Sequence, residues 1–325
     1  MSDETYLVTG ATGCIGSWVL KHLSDQRARV IASDLNTDPV RPRLLMSDAT
    51  LAALDWQALD VTDTAAVDSL VKEKGVTRII HLAGLQIPFC RANPALGATV
   101  NVTGTVNILE AVRNNGVRGL AYASSLAVMG PPDIYDVWPV PDDAPTAPSS
   151  LYGVYKVANE DTARIYAADW RVGSVGIRPA FVYGVGRDQG VTADCAKAIL
   201  AAVAGQPFHI RFDGVIALQH ASDVARMFIG CAEAGVQEAR ICNVRTDVID
   251  VGDFVALLND MVPGAEITRE VGAVLPFPAD LDDAVMRNIL GEVPHTPVRE
   301  AIAADMVRYR ALLDSGRIDL SQLEA

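Results

Sequence analysis

Tyr152 and Lys156 are the residues whose types and spacing most clearly indicate proton-transfer chemistry. They lie four residues apart in a segment that predicts a helix, so their side chains would share one face. A free tyrosine has a pKa of about 10 and is a poor base at neutral pH, but a neighbouring lysine ammonium stabilises the phenolate. The pair could then accept the proton of a substrate hydroxyl. This spacing also arises by chance, so the hypothesis depends on the rest of the chain.

Two serines follow a predicted strand and offer a second hydroxyl for the same chemistry. Ser125 is the candidate that would hydrogen-bond the substrate oxygen beside Tyr152, which makes Ser125, Tyr152 and Lys156 the proposed catalytic set. Ser124 is interpreted as its structural or cofactor-side neighbour. Capping of the strand end is the alternative role for both hydroxyls.

A glycine-rich turn follows the first predicted strand and opens the first predicted helix. Glycines spaced three apart allow a sharp turn, let backbone N–H groups approach a pyrophosphate, and direct a helix N-terminus at its charge. The expected dinucleotide contacts are Gly10, Thr12, Gly13, Cys14, Ile15 and Gly16. Tyr152 and Lys156 would contact the same cofactor, Lys156 through the nicotinamide ribose. Glycines also mark ordinary turns, but the position between strand and helix favours dinucleotide binding.

Asp34 ends the second predicted strand, 18 residues after Gly16. A carboxylate at this place accepts hydrogen bonds from the adenosine ribose and repels a 2′-phosphate, so it favours NAD over NADP. The alternative is a surface turn, because Asp-Leu-Asn is a good turn sequence. Arg41 and Arg43 follow further along and leave some room for NADP.

Asp60 and Val61 follow the next predicted strand. In a dinucleotide-binding fold an acid here would contact the adenine amino group. The competing role is capping of the helix that begins near residue 65, for which Asp60, Thr62 and Asp63 are all suitable.

Strands and helices alternate along the first part of the chain. The predicted strands cover residues 6–8, 29–33, 78–82, 119–123 and 174–178, and the predicted helices include 15–24, 65–74 and 100–114. Alternation of this kind indicates an α/β fold with a Rossmann-type, doubly wound parallel sheet, whose ligands bind at the carboxyl ends of the strands.

The last third of the chain predicts a smaller C-terminal substrate-binding lobe. We expect residues 1–183 to form the main part of the NAD-binding domain and residues 184–325 to form mainly this lobe, interleaved with the first domain. The proline-rich segment 130–148 is expected to be a long loop over the site.

Composition limits the classes of partner. The chain has 325 residues, a formal net charge of -13 and a pI of about 4.8, which argues against nucleic-acid and anionic-membrane partners. The five scattered cysteines suggest free thiols in a reducing compartment. No stretch approaches a membrane span and the N-terminus does not resemble a signal peptide, so a cytoplasmic location is expected. The five histidines are spread out, so no metal site is predicted.

The chain resembles the extended short-chain dehydrogenase/reductase family, which includes the NAD-dependent epimerases and dehydratases. The matching segments run in order over roughly residues 5–225. They are residues 9–16, 60–61, 81–84, 101–105, 124–125 with 128–130, Tyr152 with Lys156, 178–179 with 182–184, and 220–225.

The resemblance implies a sheet of about seven strands, bound NAD and a small-molecule substrate. Further implied cofactor contacts are Leu82, Ala83, Gly84 and Asn101, with Asn101 behind the site. A homodimer through a four-helix bundle is also implied, formed by helices around 101–114 and 152–169.

Two departures from the family pattern concern the substrate. Phe181 stands where sugar-nucleotide epimerases use an asparagine near the substrate phosphates, and Ile216 stands where an arginine usually grips a diphosphate. Apolar residues at both places would leave a diphosphate unpaired, which is costly. The departures favour a smaller, non-nucleotide hydroxy compound, such as a sugar, a sugar acid or a hydroxy or amino acid. Gln86 and Phe181, with Ser125 and Tyr152, are expected to form its pocket.

Three functions remain open from the sequence. The favoured one is a dehydrogenase that releases NADH at each turnover. A nucleotide-sugar 4-epimerase would use the same Tyr152 and Lys156 but return the hydride to its substrate and keep NAD tightly bound. A non-catalytic NAD-binding regulator is the third, since a fold does not determine function, but the intact serine, tyrosine and lysine argue against it.

Overall fold

The central feature is a seven-stranded sheet in which every pair of neighbours is parallel. The computed structural model describes residues 4–323. Its strands are β1 (Thr5–Thr9), β2 (Arg29–Asp34), β3 (Asp55–Ala58), β4 (Arg78–His81), β5 (Gly119–Ala123), β6 (Ser174–Arg178), β7 (Phe181–Tyr183), β8 (Phe208–Ile210), β9 (Val215–His220), β10 (Ala239–Asn243), β11 (Asp247–Asp250) and β12 (Ile267–Arg269). The order in the main sheet is β10-β6-β5-β4-β1-β2-β3. The chain reverses its winding beside β1, so the crevice between β1 and β4 is where a parallel sheet binds its ligand.

Helices cover both faces of this sheet. They are α1 (Cys14–Asp25), α2 (Asp48–Ala52), α3 (Thr64–Lys74), α4 (Ile87–Ala92), α5 (Pro94–Ala98), α6 (Gly104–Asn115), α7 (Leu151–Trp170), α8 (Asp194–Ala204), α9 (Ala221–Ala234), α10 (Val251–Met261), α11 (Ala284–Leu290) and α12 (Val298–Asp314). The helix predicted over 100–114 is observed as a π-helical segment, Thr99–Thr103, that continues into α6. The Rossmann-type α/β prediction is confirmed.

Successive side chains along the strands point to opposite faces of the main sheet, so a separate hydrophobic core lies on each face. On β1, Leu7 faces the layer formed by α3, α6 and part of α7, whereas its neighbour Val8 faces the layer that contains α1 and α9. Ile79 and Ile80 on β4 divide in the same way. Near-continuous apolar strands are expected for a parallel sheet covered on both faces.

The last third of the chain contributes to the main sheet and also to the two smaller sheets. β10 joins the edge of the main sheet, and α9 packs against α1 and β5. The smaller sheets contain β11-β9-β7 and β12-β8. The division at residue 183 stays a prediction.

The prediction that residues 130–148 lie over the site is wrong. None of these described residues lines the central cavity. Instead, Val140 hydrogen-bonds the backbone of Asp280 and Asp282, and the Asp142 carboxylate accepts bonds from the backbone N–H groups of Asn243 and Val285. These backbone and carboxylate bonds attach the segment to the outer edge of the sheet. Their partners lie about 100 residues or more further along the chain.

Candidate active site

A cavity of about 820 Å³ lies at the carboxyl ends of the parallel strands, within the size range of cofactor and ligand pockets. All but one of the site residues expected from sequence line it. They are Gly10, Thr12, Gly13, Cys14, Ile15, Gly16, Asp34, Asp60, Val61, Leu82, Ala83, Gly84, Gln86, Ser125, Tyr152, Lys156 and Phe181. The exception is Asn101, which lies behind the wall.

The glycine turn is packed so closely that side chains could not be accommodated there, which is the geometry expected of a dinucleotide-binding turn. A Cβ on Gly10, whose φ is +68°, would lie 2.7 Å from the backbone of Leu82 and Ala83. A Cβ on Gly16 would lie 2.2 Å from the carbonyl oxygen of Gly10. The turn thus brings β1, α1 and the end of β4 together, and leaves the N-terminus of α1 open to a pyrophosphate.

Asp34 occupies the end of β2 and accepts hydrogen bonds from three donors. Its Oδ2 accepts from the backbone N–H of Thr12 at 3.0 Å and from the Thr12 hydroxyl at 2.6 Å, and its Oδ1 accepts from the N–H of Leu35. These bonds hold the carboxylate at the cavity wall, where it can face the adenosine ribose.

Replacement of Asp34 by asparagine should weaken the preference for NAD. The substitution keeps the shape but removes the charge that accepts from ribose hydroxyls and repels a 2′-phosphate. A charged hydrogen bond contributes about 1.5–3 kcal/mol, so the ratio of NADPH to NADH dissociation constants should fall roughly 10- to 100-fold. Fluorescence titration with NADH and with NADPH measures the two dissociation constants. Asp38→Asn is the control, because Asp38 is exposed, pairs with Arg43 and does not line the cavity; an unchanged ratio in Asp34→Asn contradicts the assignment.

The two arginines that left room for NADP are both paired with carboxylates. Arg41 lines the cavity, but its guanidinium binds Asp188 through Nε at 3.0 Å and Nη2 at 2.9 Å. Arg43 pairs with Asp38 at the surface. Their charges are therefore largely committed to protein carboxylates.

Asp60 and Asp63 make different contacts, and the capping role belongs to Asp63. Asp63 caps α3 by accepting from the N–H of Ala66. Asp60 lines the cavity and accepts from the N–H and hydroxyl of Thr62. The turn thereby fixes the Asp60 carboxylate on the cavity wall, and its contact with adenine stays a prediction.

Ser125, Tyr152 and Lys156 meet at the other end of the cavity. Burial raises the pKa of Tyr152, while hydrogen bonding with Ser125 and the positive charge of Arg187 oppose that rise. Lys156 Nζ lies 5.5 Å from the centre of the Tyr152 ring and donates to the Ala123 carbonyl at 2.7 Å. Burial lowers the pKa of Lys156 to about 8. The three side chains can together bind a hydroxyl and hold its proton.

Asn101 supports the wall of the site from behind. Its Nδ2 donates to the carbonyls of Leu85 and Gly97, while its buried Oδ1 has no partner among the described residues. A Cβ on Gly84 would lie 2.7 Å from that Oδ1 and 3.6 Å from Lys156 Nζ. The missing side chain at Gly84 thus allows Asn101 and Lys156 to approach the same backbone.

A buried ion pair that the sequence analysis did not identify positions the serine strand. Arg178 at the end of β6 forms two hydrogen bonds with Glu160 of α7, at 2.8 and 2.6 Å. The Ser124 hydroxyl donates to Glu160, and Arg178 also donates to Asn243 and to the Asp142 carbonyl. Ser124 thus has a structural contact and also lines the cavity, and the network joins α7 to β5, β6 and β10.

The substrate end is apolar on one side and cationic on the other. Phe181 lines it with Leu275 and Phe277, and the Phe181 ring packs 6.5 Å from that of Phe277. Ile216 is buried in the core and does not line the cavity. Arg187, which the sequence analysis did not identify, lines it; no sequence motif marked Arg187, because its role depends on where the turn after β7 lies.

No helix within residues 4–323 is long and apolar enough to cross a membrane. In the same range no group of three or more His, Cys, Asp or Glu side chains is arranged to hold a metal ion.

Comparison with known proteins agrees with this geometry. The family model for the NAD dependent epimerase/dehydratase family matches residues 6–244. A UDP-glucose 4-epimerase of Mycolicibacterium smegmatis is 36% identical over 203 residues, which cover 60% of this chain and 63% of that protein.

Two solved structures resemble the whole chain in fold. A partial-consensus L-threonine 3-dehydrogenase superposes with a TM-score of 0.83 at 24% identity, over 94% of this chain and 99% of that one. The UDP-glucose 4-epimerase of Thermotoga maritima, solved with UDP-glucose, gives 0.81 at 22% identity, over 95% and 99%. The family match extends over most of the sequence and includes the glycine turn, the serines and the tyrosine–lysine pair. The chain therefore belongs to the NAD-dependent epimerase/dehydratase family of enzymes, and its cofactor is NAD.

Proposed function

We propose that this enzyme is a dehydrogenase that oxidises a hydroxyl carbon of a small, non-nucleotide compound, either sugar-like or a hydroxy acid, and releases NADH. The observation that supports this most strongly is the substrate end of the cavity. Phe181, Leu275 and Phe277 make one side of it apolar, and Ile216, at the position where the family resemblance implies a diphosphate-gripping arginine, is buried in the core. Among the cavity-lining cations of residues 4–323, Arg41 is bound to Asp188 and Lys156 donates to the Ala123 carbonyl, so a diphosphate placed there would gain Arg187 but would leave part of its charge unpaired.

The catalytic roles follow from the arrangement of the side chains. Ser125 and Tyr152 would bind the substrate hydroxyl oxygen, and Tyr152 would accept its proton. Bound NAD supplies the hydride acceptor, so the alcohol carbon loses two electrons as the carbonyl forms. Lys156 would stabilise the phenolate by its charge and hold the nicotinamide ribose.

The pKa shifts give the expected pH dependence. Burial raises the pKa of Tyr152, so its base form is scarce at neutral pH and becomes more abundant as pH rises. The rate of NADH formation should therefore rise with pH above about 7 and stop rising near pH 8, where Lys156 begins to lose the charge that stabilises the phenolate. Loss of the cation in Lys156→Met should move the rising limb to higher pH. A profile of kcat against pH for both proteins measures this, and identical profiles would contradict the role given to Lys156.

A UDP-sugar 4-epimerase is the second candidate, because the M. smegmatis relative carries that name at 36% identity. The L-threonine 3-dehydrogenase neighbour has a fold similar over nearly the whole chain, so the fold does not separate the two activities. Calorimetry of the NAD-loaded protein with UDP-glucose tests them. We expect no binding tighter than about 1 mM, because Arg187 would have to balance both phosphates while Arg41 is bound to Asp188. Micromolar binding would instead support the epimerase.

The expected assembly is a homodimer formed through α6 and α7. The proposal is supported by exposed apolar side chains on α7, which include Leu151, Val154, Ile165 and Trp170, since an exposed apolar patch commonly marks an interface. The substrate role of the C-terminal lobe belongs to the same proposal. The cytoplasmic location stays a prediction.

A further inference from the structure

Arg187 has a side chain whose hydrogen-bonding capacity is only partly used. It lines the cavity from the turn after β7, and its Nη2 donates to the Thr192 hydroxyl at 2.8 Å. Its Nε is buried and has no hydrogen-bond partner among the described residues, and Asp188, the next residue in the chain, pairs with Arg41. A buried N–H without an acceptor destabilises the protein, so an acceptor brought by a ligand would be bound favourably.

Gln86 reaches the same region from a different part of the chain. A Cβ on Gly190 would lie 3.4 Å from Gln86 Oε1 and 3.8 Å from Arg187 Nη2. Gln86 follows β4 and Arg187 follows β7, and both line the cavity with Thr192. The guanidinium donates, and a side-chain amide and a hydroxyl can each donate as well as accept, so the three groups could contact the same ligand.

The charges near this space suit an anion with a single negative charge. Arg41, the neighbouring cation on the cavity wall, is bound to Asp188, and Lys156 donates to the Ala123 carbonyl. The cavity-lining carboxylates Asp34 and Asp60 lie at the other, adenosine end. The planar fork of an arginine matches a carboxylate through two parallel hydrogen bonds.

We propose that Arg187, supported by Gln86 and Thr192, binds a carboxylate of the substrate. This proposal rests on the proposed dehydrogenase function and narrows its substrates to hydroxy acids, including hydroxy amino acids and sugar acids. Arg187 is then a specificity-determining residue. The other anion within its reach is the pyrophosphate of NAD, because its charge also acts on Cys14 in the glycine turn. The experiment must separate these two anions.

The test uses binding as well as turnover. The protein loaded with NADH is titrated by calorimetry with L-lactate, L-threonine and D-glucuronate, and with the counterparts that lack the carboxylate, lactamide, threoninamide and D-glucose. At least one acid should bind at least tenfold more tightly than its counterpart. Arg187→Met should reduce that ratio to about one, and Arg187→Lys should restore part of it. Arg299→Met is the control, because Arg299 is exposed, pairs with Asp260 and is not on the cavity wall.

Each outcome has a distinct meaning. Loss of acid discrimination in Arg187→Met, with the NADH dissociation constant unchanged within about threefold, supports the proposal. Weaker NADH binding with discrimination unchanged shows that Arg187 serves the pyrophosphate, and overturns it. Equal binding of the acids and of their counterparts without a carboxylate in the wild type also overturns it. Tight UDP-glucose binding would separately defeat the proposed function, whereas NADH formation from a neutral compound would defeat only the carboxylate assignment.

Discussion

Replacement of Tyr152 by phenylalanine should lower kcat for NADH formation by roughly 100- to 10,000-fold, the usual contribution of a positioned general base. The change removes one hydroxyl and leaves the ring against Lys156. Cofactor binding should stay within about threefold of wild type, because the glycine turn and Asp34 supply most of the contacts with NAD. Steady-state kinetics and NADH titration measure the two effects separately.

Tyr155 provides a matched control on the same helix. Its hydroxyl donates to the carbonyl of Pro94 at 2.9 Å, and it does not line the cavity. Tyr155→Phe should therefore keep kcat within about threefold, since loss of a surface hydrogen bond has a small effect. Equal losses in both variants would show that Tyr152 supports the helix rather than the chemistry.

Replacement of Arg178 by methionine should destabilise the protein by about 3–5 kcal/mol, because it leaves the Glu160 carboxylate buried and unpaired. Both side chains are nearly inaccessible to solvent, at 4% and 9%. The variant also loses the bonds to Asn243 and to the Asp142 carbonyl. Urea denaturation of the cofactor-free protein gives the free energy of unfolding.

Two comparison variants identify the cause. Arg164→Met removes an arginine of α7 that pairs with Asp161 in solvent, and should cost less than about 1 kcal/mol. The double variant Arg178→Met with Glu160→Leu removes both charges and should recover part of the stability. A double variant as unstable as Arg178→Met would mean that lost packing, and not the unpaired charge, is responsible.

The cofactor half of the site was predictable because its determinants are local in the sequence. The turn from Gly10 to Gly16 and the Asp34 carboxylate lie within one strand–helix–strand unit, whose geometry is common to parallel sheets. Tyr152 and Lys156 share a helix face for an equally local reason. The cofactor contacts and the Tyr152–Lys156 pair could therefore be predicted from short-range spacing in the sequence.

The remaining features depend on contacts between distant segments. Arg187 can be recognised as a site residue only when the turn after β7 is seen to lie near Gln86. The buried position of Glu160 can be recognised only when α7 is packed against Arg178. The position of the proline-rich segment 130–148 was wrongly predicted because its composition indicates a loop but not where it docks. That position is set by Asp142, which bonds backbone groups about 100 residues or more further along the chain.

The most direct test of the central claim is NADH formation by the purified protein. NAD would be offered with aldoses, uronic acids, aldonic acids, hydroxy amino acids and UDP-sugars, each alongside the Tyr152→Phe variant. The account predicts growth of absorbance at the NADH maximum with at least one non-nucleotide compound, lost in the variant. Absence of NADH with every compound, together with interconversion of UDP-glucose and UDP-galactose on chromatography, would contradict it and establish an epimerase.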